Sequence, residues 1–543
     1  MRLYYSPGSS SLASHIALIE AGLPFETMRV DEHTKTMEGG GDYRRVHRLG
    51  YVPALLLDDG TLLTEGVAIM QHVAELARSR TLTPPAGTVE RARLQAWLNF
   101  LSSEVHKAGF TPLFNPAMPE GAKRIFRDRL ALRLSHLDRH LAKAFMKVTY
   151  EKKKILHDNA VTGQGLPTFG TQVLMNVINE VGGLPTRNHQ DVQFESARDI
   201  SAEAMATPRD TDGKAQLITN QACFGCTIAC GRVSKMDKGH FTVSNKPQYW
   251  GASGGLEYEA AWALGAANGV KDLETLQYVT MLCNEEGIDP ISFGATLGAV
   301  MELYEMGVLT SAQLGIEAPF GSAAALAFLA EETIYSRGFG KEIGQGSKRL
   351  TAKYGHPDLS MSTKGQEFPA YDGRAIQGIG LAYATSNRGG CHLRGYTIAS
   401  EVLGIPVKTD PLEHEGKPEL VKAFQDATAA FDSSGLCVFT TFAWGLADLA
   451  PQLQAACSDQ FSTEELAKIG ERIWNMEREF NNAAGFTKAD DSLPKRLLTE
   501  AAKTGPAKGK VNMLAEMLPK YYAARGWDSE GVPTAETRER LSL

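Results

Sequence analysis

Three cysteines crowd one short segment of the chain, "ACFGCTIACGR", as Cys223, Cys226 and Cys230 in the spacing C-x2-C-x3-C. Thiolates are soft ligands, and three on one loop can converge on a single metal centre. A short loop entering a helix would turn their sulfurs inward. Zinc normally takes four ligands from paired C-x2-C motifs, and no second pair is present. An iron–sulfur cluster completed by a remote cysteine suits the spacing better. The competing reading, small cysteines buried as modest hydrophobes, is the weaker one for three thiols so close together. Cys283, Cys391, Cys437 and Cys457 are all candidates for the fourth ligand. Cys437 ranks first on the residues alone. In "DSSGLCVFTTF" an aspartate and a Gly-Leu turn precede it, offering a carboxylate and backbone amides beside whatever the thiol binds.

The whole chain bounds this chemistry. Its 543 residues exceed what one core supports, so two to four domains are expected. Hydrophobic residues at 43% and charged residues at 22% describe an ordinary globular protein. A net charge of -7 argues against nucleic acid as a general partner. No apolar run is long enough for a membrane, and no leader stands at Met1, so a cytoplasmic protein is expected. Seven cysteines without an export signal do not describe a disulfide framework.

The elements that must position these residues differ along the chain. "MRLYY" predicts a strand, "SPGSS" a turn, and Ile16, Ala17, Leu18 and Ala21 a helix ending at Gly22. "FETMRV" predicts a second strand, and "VPALLLDDGTLL" a hairpin turning at Asp-Gly. A helix from about Glu65 to Ala77 follows. This β-α-β then β-β-α order is thioredoxin-like. Ser9, Ser10 and Ser11 also suit a plain turn and helix cap, positions serine favours by itself. From Ala144 onward a basic helix, a glycine-rich loop and then helical spacings dominate, as in Leu273, Leu276, Val279 and Leu282.

Two resemblances follow from these segments. "MRLYYSPGSSSLASHIALIEAGLPFE", "LGYVPALLLDDG" and "LLTEGVAIMQH" resemble the N-terminal domain of beta-class glutathione transferases, and "WLNFLSSEVHKAGFTPLF" the first helix of their helical domain. That resemblance implies glutathione as a ligand, touched by Ser10, Val52, cis Pro53, Glu65, Gly66 and His106. Ser10 stands where the beta class carries a reactive cysteine, which removes mixed-disulfide chemistry. The helical part stops near Leu141.

"ACFGCTIACGR", "EYEAAWALGAANGVKDLE", "CNEEGIDPISFG", "EFPAYDGRAIQGIGLAYATSNRGGCHLRGY", "DSSGLCVFTTF" and "IGERIWNMEREFN" resemble, in order, the two C-terminal domains of tungsten-dependent aldehyde:ferredoxin oxidoreductase. This resemblance implies a 4Fe-4S cluster on Cys223, Cys226, Cys230 and Cys437. It implies a tungsten (or molybdenum) bis-pterin contacted by Asp289, Asp432, Asn284, Gly435, Leu436 and Arg388. Asn284 replaces the family's first acidic residue in its loop, and an amide still offers hydrogen bonds. Glu259 and His392 become the catalytic pair, an aldehyde the substrate, and ferredoxin or a similar carrier the electron acceptor. A homodimer is a further expectation. The family's N-terminal pterin-binding domain has no counterpart here, so an incomplete tungsten site is expected.

The fold class expected is therefore multi-domain and mainly α. A thioredoxin-like α/β domain (1–80) and a truncated helical transferase segment (81–143) precede largely helical oxidoreductase domains 2 (144–362) and 3 (363–543). Two other functions stand beside aldehyde oxidation. One is a glutathione transferase, the other a non-enzymatic glutathione-binding and iron–sulfur module.

Overall fold

The computed structural model describes residues 1–77, 82–115, 117–457 and 460–543, leaving aside the side chains of 138–144. The chain divides into two compact units, Met1–Lys143 and Ala144–Leu543.

Unit one is built on a four-stranded sheet in the order β2-β1-β3-β4, with β1 (Arg2–Tyr5), β2 (Glu26–Arg29), β3 (Ala54–Leu56) and β4 (Leu62–Thr64). β1 pairs parallel with β2 and antiparallel with β3, and β3 pairs antiparallel with β4. Alternation along the strands sends Leu3 and Leu55 to one face, where they pack on Leu18, Ala21, Ile69 and Val73. Tyr4 and Ala54 point to the other, against Val30 and Tyr43. The first cluster seats the helices α1 (Ser11–Glu20) and α2 (Gly66–Leu76). Past Asp59, Gly60 takes φ 86° to turn β3 into β4. The helix α3 (Val89–Phe100) is capped by Thr88, whose hydroxyl accepts from Arg91 N, and runs into a π-helical stretch Leu101–Phe110. A 39-residue helix, Glu120–Asp158, follows in sequence.

Unit two is mostly helical. Its core gathers Trp262, Leu276, Leu297, Val300, Leu326, Ile379, Leu381, Trp474 and Tyr521 from helices distant in sequence. Glycines permit the closest approaches. Gly294, in the helix Pro290–Glu305, lies where any Cβ would meet the Ala263 carbonyl of the helix Tyr258–Leu264. Gly470 does the same beneath the Asp426 carbonyl, letting Thr463–Ala483 lie against Lys417–Ser433. Buried ion pairs tie remote segments together, including Arg496–Glu302 at 2.7 Å, Arg478–Asp491 at 2.7 Å and Lys417–Glu401 at 2.8 Å. Breaking one side of such a pair leaves a stranded charge, so they fix the arrangement even where they add little net stability.

Two local expectations change. The loop bearing Cys223, Cys226 and Cys230 does not enter a helix. It connects β5 (Leu217–Gln221) to β6 (Gly231–Ser234), which pair antiparallel, so cross-strand hydrogen bonds set its ends. The "TGQG" segment is not a loop either: Val161–Gly165 continues as a helical turn into Leu166–Phe169.

Candidate active site and cysteine loop

Glu259 sits in the first turn of the helix Tyr258–Leu264, whose N-cap position is Glu257. The start of that helix is pinned from outside. Tyr258 N donates to the Thr171 hydroxyl at 2.9 Å, and that hydroxyl donates to the Glu257 carboxylate. Glu259 Oε2 accepts from Ala370 N at 2.9 Å, while Tyr258 OH donates to the Ala370 carbonyl at 2.9 Å. One peptide segment thus fixes both neighbours. Glu259 Oε1 has no hydrogen-bond partner and no contact with solvent. His392 Nε2 stands 3.5 Å from it.

The surroundings are aromatic. The Tyr371 and Tyr396 rings lie 5.8 and 6.0 Å from His392, and their hydroxyls pair at 2.9 Å. Burial pushes Glu259 up to about 8; the charge of Asp289 adds to this, while the Ala370 amide and Tyr371 hydroxyl oppose it. Burial pushes His392 down to about 3, helped by the Arg388 guanidinium. Their separation alone would make them an ion pair. Burial disfavours both charges, so the carboxylic acid and the imidazole face each other neutral near pH 7.

The remaining residues expected at a cofactor surround this pair unevenly. Asp289 caps the helix Pro290–Glu305 by accepting from Ile291 N and Ser292 N at 3.2 and 3.0 Å, and it is near enough to act electrostatically on Glu259. Asn284 is exposed at the end of the helix Leu273–Glu286. Asp432 is exposed near the end of Lys417–Ser433, followed by Gly435 at φ 76° and then Leu436. Arg388 does not point to an open acceptor: its Nε and Nη2 donate to Cys391 Sγ at 3.1 and 2.8 Å.

Sequence reasoning missed Arg394. It donates to Glu477 at 2.6 Å and lies 3.8 Å from Asp432, with its Nε solvent-inaccessible and without a hydrogen bond. Asn387, Arg388, Arg394, Met476, Glu477, Phe480 and Asn481 line a cavity of about 370 Å³. The motif "GGCHLRG" contained Arg394, but nothing in its type set it apart from a surface arginine.

The cysteine loop closes on itself through Cys226 N, which donates to the Cys223 carbonyl at 3.0 Å. Cys230 is half-buried among Leu166, Ile228, Phe439 and Phe442. Cys437 opens the 3-10 turn Val438–Phe442, so this shared apolar contact brings the two thiols' segments together. Burial pushes Cys230 up to about 11, reinforced by Glu257, Cys437 and Cys226. Among the described residues no three His, Cys, Asp or Glu side chains gather as a cage for a single ion. A cubane cluster takes one thiolate at each iron rather than four at one point. All four thiols are free, three are exposed, and Cys226 and Cys437 lie near enough to Cys230 to act on it electrostatically, so the donor set fits such a cluster. Glu257 and Arg232 beside Cys230 were also not singled out from sequence. Burial raises the first and lowers the second.

In unit one, Val52-Pro53 is a cis peptide bond. A Cβ on Gly66 would lie 3.4 Å from the Pro53 ring, so these two positions adjoin at the start of α2. Glu65, with φ 66°, occupies the N-cap position of α2. Ser10 is exposed at the N-cap position of α1 and makes no capping bond, and His106 is exposed in the π-helical stretch.

This fold and site define a class. Residues 147–543 match the family model described as aldehyde ferredoxin oxidoreductase, domains 2 & 3, and the chain belongs to that family. Residues 9–76 match the model described as glutathione S-transferase, N-terminal domain. The chain is 46% identical over 405 residues to the tungsten-containing aldehyde ferredoxin oxidoreductase of Thermococcus kodakarensis, covering 74% of this chain and 64% of that protein. It is 49% identical over 141 residues to glutathione S-transferase GstA of Escherichia coli O157:H7, covering 26% of this chain and 70% of that one. The active-site complex BamBC of benzoyl coenzyme A reductase shares the fold, with TM-score 0.55 and 16% identity over 74% of this chain and 65% of that one. Among the described residues no helix is long and apolar enough to cross a membrane.

Proposed function

We propose that the chain is a cytoplasmic oxidoreductase that converts aldehydes to carboxylic acids and passes the electrons to ferredoxin or a similar carrier. The observation that carries this reading is the neutral Glu259–His392 pair, 3.5 Å apart, with Oε1 unsatisfied and tyrosines around it. When bound, a tungsten bis-pterin supplies two-electron oxidation of the carbonyl carbon, and a 4Fe-4S cluster supplies one-electron relay outward. Asp289, Asp432, Asn284, Gly435 and Leu436 would hold the pterins, with Arg388 engaged by Cys391 Sγ instead, and Cys223, Cys226, Cys230 and Cys437 would hold the cluster.

Glu259 holds a proton at Oε1 and can exchange it with the substrate, because a carboxyl near 8 is poised for general acid–base work. His392, neutral, offers one ring nitrogen as acceptor and one N–H as donor to the substrate oxygen. Tyr371 and Tyr396 exclude water from the pair. The chain spans 64% of the length of its aldehyde oxidoreductase relative. The test is aldehyde-dependent reduction of a viologen dye by anaerobically purified protein. Activity that falls about 100-fold or more in Glu259→Gln is the expected result; activity that survives the substitution refutes the assignment.

A second reading concerns unit one, where the cis Val52-Pro53 bond adjoins Gly66 at the start of α2. It supports glutathione binding at Val52, Pro53, Glu65 and Gly66, with Ser10 and His106 alongside. Retention on immobilised glutathione that is lost in Glu65→Ala supports this; failure to be retained removes it.

A further inference from the structure

The long helix ends beside the cysteine loop. Lys153 Nζ donates to the Gly225 carbonyl, between Cys223 and Cys226, at 3.3 Å. The same helix end is held from the other side. Trp444 Nε1 donates to the Lys152 carbonyl at 3.0 Å, Lys152 Nζ pairs with Asp448 at 2.7 Å, and Leu156 is buried with Phe431, Trp444 and Leu449. Segments following Cys437 and the loop holding Cys223 and Cys226 are therefore clasped by one helical turn.

What this turn presents outward is basic and aromatic. Met146, Tyr150 and Lys153 recur at helical spacing on one stripe, with Lys147 and Lys154 flanking it, and all are exposed. Lys147, Lys153 and Lys154 have no ion pair among the described residues, while Glu151 and Asp158 are the carboxylates nearby on this helix. Phe224, between the first two cysteines, stands fully clear of the surface. A large exposed aromatic one residue from the carbonyl that a lysine reaches suits the anchoring of a protein partner, since aromatics dominate such contacts. In a chain of net charge -7, a local concentration of lysines without ion pairs is a directed feature.

We propose that the surface formed by Lys147, Tyr150, Lys153, Lys154 and Phe224 is the docking site for an acidic one-electron carrier protein. The inference rests on the oxidoreductase reading above, and it adds where the carrier lands. The lysines steer the partner by charge, Phe224 seats it, and the cysteine loop lies beneath the contact. Transfer there is a single electron outward to the carrier, with no bond made or broken.

The test uses the full chain and a purified acidic two-cluster ferredoxin as probe, with affinity read by calorimetry at low and moderate salt. Lys147→Glu/Lys153→Glu/Lys154→Glu should weaken binding about tenfold or more and flatten its salt dependence. Phe224→Ala should weaken it several-fold without changing the salt slope. Reversing Lys503, Lys508 and Lys510, also exposed, should change affinity less than about twofold, a control for net charge. Equal loss in both triple variants, or none in the first, overturns the proposal. So does absence of any binding to the wild-type chain, or preferential retention on anionic vesicles. Aldehyde-dependent dye reduction is read in parallel. Lost dye reduction with charge-dependent binding intact sinks the oxidoreductase reading alone, whereas retained dye reduction with charge-independent binding sinks the docking site alone.

Discussion

Glu259 Oε1 and His392 Nε2 face each other at 3.5 Å in a buried tyrosine-lined setting where both groups are neutral near pH 7. The pair resembles a salt bridge in distance and differs from one in protonation. Its chemistry follows from that difference: the carboxyl has a proton to give, and the imidazole has a lone pair to receive one.

The pair predicts an unusual dependence of stability on pH. Glu259 is raised from 4.5 to about 8 in the folded chain, so its contribution is full below 4.5 and is lost as pH rises through 8. His392 is lowered from 6.5 to about 3, so its contribution is present above 6.5 and is lost as pH falls towards 3. Denaturant melts of the wild type and Glu259→Gln between pH 5 and 8 should diverge by about 3 kcal/mol, the glutamine variant gaining relative stability at the alkaline end. Parallel curves would mean that Glu259 titrates normally.

Tyr371→Phe removes the 2.9 Å hydroxyl contact with Tyr396 and the hydroxyl that opposes the rise of Glu259. A loss of about 1 kcal/mol in unfolding free energy is expected. The alkaline limb of the aldehyde-oxidation pH profile should move upward. A downward movement would contradict the place given to the tyrosine hydroxyl.

Gly294→Ala tests how the site is assembled. A Cβ at this position collides with the Ala263 carbonyl, forcing apart the helices that carry Asp289 and Glu259. A loss of about 1–3 kcal/mol is expected, together with a larger fractional loss of activity than of folded protein. Thermal melts and activity per folded chain measure the two separately.

Much of this was legible in the residues, for identifiable reasons. In unit one, the alternation of Leu3 and Tyr4 and the Asp59-Gly60 turn mark the elements locally, so the β-α-β then β-β-α order follows from sequence. The helical character of unit two was similarly visible in its spacing. The cysteine loop was misread as a helix entry because the pairing of Thr219 with Val233 is set across the hairpin and leaves no mark in the cysteine spacing. Arg394 and Glu257 escaped because their importance lies in what they face. Arg394 meets Asp432 and Glu477, and Glu257 meets Thr171, partners from distant segments. The neutral state of Glu259 and His392 depends on burial created by residues 370–396, which no local pattern announces.

Cys437→Ser tests whether the remote cysteine belongs with Cys223, Cys226 and Cys230. Iron content and the visible absorption of the anaerobically purified chain should fall sharply, whereas Cys457→Ser should leave both unchanged. Equal effects of the two substitutions would remove Cys437 from the set.

The most direct measurement is metal content of the full chain, purified anaerobically from cells supplied with tungstate and molybdate, alongside its aldehyde-dependent dye reduction. Expected are about four irons per chain, tungsten or molybdenum in stoichiometric amount, against the incomplete tungsten site read from sequence, and activity that requires Glu259. Iron without tungsten or molybdenum, and no aldehyde oxidation, would contradict it and leave an iron–sulfur module joined to a transferase-like unit.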